Sequence, residues 1–139
     1  MPIGEKLFEE EGKTAGQSIK SVGPEGVTLQ FNFVGEGRGV GRLQGLKGRY
    51  FGTGTLVQGQ GGPLSGGYHV IITTEEGESI LLSASSLTVM GGGKVKDFSL
   101  LRIATTSQKY AWLNQVVAVR ESDVSPDFQS FSGSIYEWK

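Results

Sequence analysis

The stretch GVTLQFNFVGEGRGVGRLQG, residues 26–45, alternates apolar and polar residues and then alternates glycine with other residues. Its odd-numbered positions are first apolar, from Val27 to Phe33, and then carry glycine at 35, 37, 39 and 41. A period of two places successive side chains on opposite faces of a β-strand. The stretch therefore predicts a strand whose apolar face turns into a face of glycines.

Two interpretations of these glycines fit the sequence. In a continuous strand, the bare face leaves room for neighbouring aromatic rings or for a ligand. Alternatively, a hairpin turn at Glu36-Gly37 interrupts the strand and gives the glycines ordinary turn positions. A nucleotide-binding loop is disfavoured, because Arg42 stands where the third glycine of the dinucleotide motif would be needed and no helix follows.

The rest of the chain is also a succession of strand and turn patterns. Its 139 residues include 23 glycines and only 19% charged residues, which favours short strands over a helical bundle. Turn signals are spaced as in sandwiches and barrels, and the lack of helical crossovers implies antiparallel pairing. Glycines inside strands favour closure into a barrel. We predict an all-β protein, a single antiparallel β-barrel of eight or nine strands, over residues 1–139.

The N-terminal segment is the one exception to the strand pattern. In IGEKLFEEE, residues 3–11, Ile3, Leu7 and Phe8 form a narrow apolar stripe at helical spacing, and Gly12 would end a helix. We therefore expect residues 1–12 to form a short N-terminal helix or arm that plugs one end of a barrel formed by residues 17–138.

Composition excludes several functions. The chain has no cysteine and a single histidine, so we predict no metal site and no cofactor. The net charge of −1, with both signs mixed along the chain, disfavours nucleic acid as a partner. The N-terminus lacks a signal-peptide pattern, and no apolar run reaches the ~18 residues of a spanning helix. We therefore expect no membrane association and a cytoplasmic location.

Two segments resemble known barrel families. FSLLRIATTSQKYAWLN, residues 98–114, resembles the closing third of a family of lipocalin-like small barrels, in which a basic residue precedes Tyr-Ala-Trp-Leu-Asn. LQGLKGRYFGTGTL, residues 43–56, is similar to the glycine- and threonine-rich strands of allene oxide cyclase and dirigent-type barrels. The first resemblance implies a lipocalin-like fold without an established activity. The second implies an allene-oxide-cyclase-like barrel that binds an apolar or phenolic small molecule.

The candidate ligand contacts lie mainly in YAWLNQVVAVR, residues 110–120. Read as a strand, this segment puts Tyr110, Trp112 and Asn114 on one face, which combines apolar surface with polar tips as in small-molecule pockets. Tyr50 is a further candidate contact. Alternatively, these aromatic side chains simply fill the lumen of the barrel.

The candidate catalytic residues are Arg102, Tyr110 and His69. Arg102 lies within the apolar run FSLLRIA, so it is either exposed or buried beside a carboxylate, where it could also contact a ligand oxygen. His69 is either a half-exposed strand residue or a base that needs an acidic partner.

Three functions are consistent with these residues, and the sequence does not decide whether the protein is an enzyme. The first is a barrel that binds a small, largely apolar molecule. The second is an isomerase or cyclase in which Arg102, Tyr110 or His69 polarises an oxygen or moves a proton. The third is a homo-oligomeric structural module with a filled lumen, associated through outward apolar residues such as Leu81 and Val117.

Overall fold

The structure is a computed structural model that describes residues 3–24, 26–59 and 63–139, and in these ranges eight antiparallel strands form a closed barrel. Each strand pairs with the next along the chain, and the first also pairs with the last. This confirms the predicted all-β antiparallel barrel. The strands are β1 (Ile3–Gly23), β2 (Gly26–Gly39), β3 (Lys47–Gln58), β4 (Leu64–Thr74), β5 (Ser79–Gly91), β6 (Lys94–Thr105), β7 (Val117–Val124) and β8 (Ser130–Trp138).

The glycine stretch belongs to one continuous strand. β2 stays paired with β1 and β3 through Glu36 and Gly37, so the hairpin interpretation is wrong and the continuous one is correct. The chain turns only afterwards, in a short 3₁₀ helix over Gly41–Leu43. Gly41 has a φ of 58°, a left-handed conformation that favours glycine.

Aromatic rings from neighbouring strands fill the space beside the inward-facing glycines. A Cβ atom on Gly35 would lie 2.7 Å from Cε1 of Tyr50, and one on Gly52 of β3 would overlap the ring of Phe33. Phe33 in turn packs edge-on against Tyr50 and Tyr68, with ring centroids 6.1 and 5.6 Å away. The glycines therefore accommodate the protein's own rings in this part of the lumen.

The predicted N-terminal helix is wrong. Residues 3–11 are part of β1 and pair with both β2 and β8, whereas residues 1 and 2 lie outside the described residues. The pairing of β1 with β8 shifts register on both sides of Lys6, so that the consecutive residues Leu7 and Phe8 are both buried. Two adjacent buried apolar residues look like a helical stripe in the sequence, although a bulged strand produces them here.

One end of the barrel is closed by apolar side chains and two 3₁₀ helices. The second helix, Ala111–Gln115, follows β6 and buries Leu113 completely. The strand predicted over residues 110–120 is therefore wrong in its first half, because β7 begins only at Val117. The core at the closed end also includes Leu43, Leu46, Ile72, Ile80, Leu82, Leu101, Ile103 and Ile135.

No helix in the described ranges is long and apolar enough to cross a membrane.

Candidate functional site

The other end of the barrel holds a cavity of about 120 Å³. Most of its wall is apolar and comes from five of the strands and the loop before β8. Phe128 in that loop has a φ of 60°, and its carbonyl oxygen accepts a 2.6 Å hydrogen bond from Thr14 Oγ1. A left-handed conformation costs a non-glycine residue about 1 kcal/mol or more, so the position of the Phe128 ring in the cavity wall is held at some cost in stability. The apolar wall consists of Leu29, Phe31, Phe33, Leu56, Leu64, Val124, Phe128 and Phe131.

The floor of the cavity is an ionic cluster centred on Arg120 of β7, which is 8% exposed. Its Nη1 donates to Asp97 Oδ2 at 3.0 Å and to the Tyr68 hydroxyl at 3.3 Å. Its Nε donates to a carboxylate oxygen of Glu10 in β1. Burying an unpaired charge is costly, and this cluster pairs one guanidinium with two carboxylates.

All four lone-pair positions of Asp97 are taken by protein groups. Oδ1 accepts hydrogen bonds from Ser86 and from Thr88, the second at 3.0 Å. Oδ2 accepts from Ser99 Oγ and from Arg120 Nη1, both at 3.0 Å. A carboxylate accepts at roughly four positions, so Asp97 has none left for a ligand. Asp97 therefore stabilises the polar cluster at the floor of the cavity.

Two polar groups on β7 have no partner within the described residues. Ser122 is 2% exposed and lines the cavity, yet its Oγ makes no hydrogen bond to any described residue. Arg120 uses its Nε and Nη1, but its Nη2 donates to none of the described groups. Ser122 and Arg120 are two positions apart on one strand, so both side chains face the lumen.

Burial sets the protonation of two floor residues. It lowers the pKa of Arg120 to about 9, which still leaves the guanidinium charged at neutral pH. The pKa of Tyr68 is raised well above its usual value by burial and by the neighbouring charge of Asp97. Its hydroxyl therefore keeps its proton and donates to Ser99 Oγ at 2.7 Å.

The predicted catalytic residues Arg102 and His69 lie on the outer surface of the barrel. Both side chains are exposed, on either side of Ser83, which is paired with His69 on one side and with Arg102 on the other. His69 Nδ1 lies 3.2 Å from Ser83 Oγ. Arg102 points outward because it alternates with the buried Leu101 and Ile103.

The predicted ligand contacts Tyr110, Trp112 and Asn114 lie at the closed end, away from the cavity. Trp112 stacks on Arg42, whose guanidinium carbon is 3.9 Å from the ring centroid. Asn114 caps the end of β6, where its side chain accepts from the Thr105 N–H at 2.8 Å and donates to the Thr105 carbonyl at 3.0 Å. These contacts give Trp112 and Asn114 structural positions, and their role in binding stays a prediction.

Tyr50 and Tyr110 are buried, but neither lines the cavity. The Tyr50 hydroxyl has no hydrogen-bond partner among the described residues, and burial raises its pKa above the usual value. Of the predicted site residues, the structure places His69 and Arg102 on either side of Ser83 on the outside of the barrel, and it places Tyr110, Trp112 and Asn114 together at the closed end.

Sequence reasoning missed the cluster of Asp97, Arg120 and Ser122. The signal was available in β6, because Asp97 and Ser99 share odd parity with the apolar residues Leu101 and Ile103. Polar residues that alternate in phase with a buried face are candidates for a lumen site. In the described part of the chain, no group of three or more His, Cys, Asp or Glu side chains is placed to hold a metal ion.

Comparisons with known proteins support the fold and give no activity. No protein-family model matches the chain, and no curated protein matches its sequence. A β-barrel-like protein from Acinetobacter baumannii is similar in structure, with a TM-score of 0.84, 19% identity, and 100% of this chain and 98% of that chain covered. A protein of unknown function from Clostridium acetobutylicum has a TM-score of 0.83 and 14% identity over the whole of both chains. An enzyme from Penicillium herquei has a TM-score of 0.64 and 21% identity, with 99% of this chain and 96% of that chain covered.

Proposed function

We propose that this barrel binds a small, largely apolar molecule in the cavity above Arg120. The observation that carries the proposal is an apolar wall around polar groups that have no hydrogen-bond partner among the described residues. Small-molecule sites have this composition, with mostly hydrophobic lining and a few placed polar groups. Small eight-stranded barrels are just wide enough to hold one such ligand.

The size of the cavity limits what it encloses. An apolar cavity of about 150 Å³ holds benzene, so a cavity of about 120 Å³ takes roughly one six-membered ring. A larger molecule would place one ring or chain end inside and leave its remainder outside the cavity. The cavity also counts against a lumen filled entirely by the protein's own aromatic side chains.

A titration with benzene, followed by two-dimensional ¹H–¹⁵N NMR, tests this proposal. We expect saturable shifts in β6, β7 and β8 near the cavity. Val124→Phe fills the cavity and abolishes these shifts. The matched change Leu87→Phe, at an exposed position of β5, leaves them intact. Absence of saturable shifts in the unmodified protein would refute a ligand-binding lumen.

An isomerase or cyclase activity is the second candidate, and the buried guanidinium of Arg120 on the cavity floor favours it. A guanidinium in a site shielded from water can stabilise negative charge that develops on a substrate oxygen. The barrel fold is compatible with catalysis, since the Penicillium herquei enzyme shares it. Once a substrate is found, turnover by a folded Arg120→Lys variant at the rate of the unmodified protein would exclude this role for Arg120.

Association into a homo-oligomer stays a prediction. Phe51, Ile71 and Leu81 are exposed and lie opposite one another on β3, β4 and β5, which makes an apolar row on the outer face. Exposed apolar rows of this kind are typical of protein interfaces. Sedimentation velocity on the purified protein, with Ile71→Lys as the disrupting change, tests whether copies associate there.

A further inference from the structure

The unpartnered groups on the cavity floor define the chemistry of the ligand end that reaches them. We infer that the cavity takes an uncharged carbonyl compound about the size of a six-membered ring, with its oxygen accepting hydrogen bonds from Arg120 Nη2 and Ser122 Oγ. This inference rests on the proposed binding function and adds the class of ligand to it.

The hydrogen-bond inventory favours an acceptor. Asp97 has no lone pair left, and the Tyr68 hydroxyl both donates to Ser99 and accepts from Arg120. Among the buried groups left over, Arg120 Nη2 can only donate, whereas the Ser122 hydroxyl can donate one hydrogen bond and can also accept. Both residues therefore offer donors to the cavity, and a carbonyl oxygen has two lone pairs with which to accept them.

The charge of the floor favours a neutral ligand. The cluster contains one guanidinium and two carboxylates, those of Glu10 and Asp97, which all contact one another through Arg120. A carboxylate ligand would bring a third negative charge to a single buried cation. Charges interact strongly where water is excluded, so this arrangement opposes an anion.

The burial of Ser122 supports a ligand partner for its hydroxyl. Buried side-chain polar atoms almost always have a hydrogen-bond partner, and a buried hydroxyl without one reduces stability. The Asp97 carboxylate lies directly across the sheet, but its oxygens are occupied by Ser86, Thr88, Ser99 and Arg120. A ligand oxygen in the cavity would give Ser122 the partner that the described residues do not supply.

Three ring compounds of similar size separate the alternatives. Cyclohexanone offers the acceptor, methylenecyclohexane has nearly the same shape without it, and cyclohexanecarboxylate carries the negative charge. Binding of each is measured by ¹H–¹⁵N NMR titration of the full chain. We expect cyclohexanone to bind at least about tenfold more tightly than methylenecyclohexane, since two hydrogen bonds of ordinary net strength distinguish them.

One variant and its matched control assign the preference to Ser122. Ser122→Ala should reduce the ratio of the two dissociation constants severalfold while methylenecyclohexane still binds, which shows that the variant is folded. Ser85→Ala, at an exposed serine on the outer face of β5, should leave the ratio unchanged.

Each other outcome has a distinct meaning. Equal binding of cyclohexanone and methylenecyclohexane overturns the acceptor inference and leaves the binding function standing. Tightest binding of cyclohexanecarboxylate overturns the inference of an uncharged ligand. An unchanged ratio in Ser122→Ala overturns the role of Ser122. Failure of all three rings to bind counts against both the inference and the proposed function.

Discussion

Replacing Arg120 by methionine tests whether the ionic cluster holds the barrel together. Arg120→Met removes three hydrogen bonds and leaves Glu10 and Asp97 buried, with side chains 4% and 8% exposed. Breaking a buried ion pair by removing one partner costs about 3–5 kcal/mol. Domains are stable by only about 5–15 kcal/mol, so this loss would remove a large share of the free energy of unfolding.

The assay is equilibrium unfolding in urea, followed by tryptophan fluorescence and circular dichroism. At an m-value of about 2 kcal/mol/M, a loss of about 4 kcal/mol lowers the midpoint by about 2 M. The matched control is Arg102→Met, because Arg102 is exposed on β6 and makes no ion pair with a described residue. A surface change of this kind alters stability by no more than about 0.5 kcal/mol. Equal losses of stability in the two arginine variants would refute the reasoning.

Two further predictions concern the buried tyrosines and the glycine face. The pKa values of Tyr50 and Tyr68 are raised in the folded state, so their contribution to stability is complete below about pH 10 and is lost as pH rises further, by about 1.4 kcal/mol per pH unit for each. The difference between the urea midpoints of the unmodified protein and of Tyr68→Phe from pH 8 to 11 measures the contribution of Tyr68, and equal slopes in the two proteins would contradict it. Gly35→Ala should cost about 2–3 kcal/mol, because the new Cβ would overlap the Glu11 carbonyl and the Tyr50 ring. Gly37→Ala, whose nearest atom is 3.9 Å away, should change the free energy of unfolding by less than about 1 kcal/mol, and equal losses at the two glycines would contradict the packing argument.

Alternation with a period of two was the information that predicted the fold. In β2 the apolar residues Leu29 and Phe33 and the glycines up to Gly39 all have odd numbers. They therefore lie on the same face of the strand, which points into the lumen. The sequence could not distinguish a strand from a hairpin at Glu36-Gly37, because glycine suits both. Pairing with β1 and β3 along its length decides the matter, and both of these strands lie outside the glycine stretch itself.

The errors in the prediction occur where local geometry departs from regular alternation. A bulge beside Lys6 turns two consecutive residues inward and imitates a helix. The segment Ala111–Gln115 has the residue types of a strand, but its 3₁₀ turn buries Leu113 under the closed end of the barrel. Both features satisfy tertiary packing, which residue-by-residue patterns do not encode.

The candidate site was missed for a different reason. Arg102 is a charge among apolar residues, which is anomalous only if the whole strand is buried; on a strand with one exposed face, charged and apolar residues alternate normally. The charged residue that marks the site is Asp97, which lies on the buried face of the same strand. The parity of Asp97 in β6 marks it as buried, whereas its contact with Arg120 depends on the pairing of β6 with β7, and the contact of Arg120 with Glu10 depends on closure of the barrel between β1 and β8.

The hydrogen-bond inventory separates binding from catalysis more sharply than the presence of charged groups does. A general base needs a free lone pair toward the substrate, and Asp97 has none because four donors occupy it. Glu10 contacts Arg120 but does not line the cavity. Among the buried polar residues that line the cavity, Arg120 Nη2 and the Ser122 hydroxyl have no described hydrogen-bond partner, and they can donate to an oxygen but supply no base. As built, the lumen is therefore better suited to retaining an uncharged acceptor than to removing a proton from it.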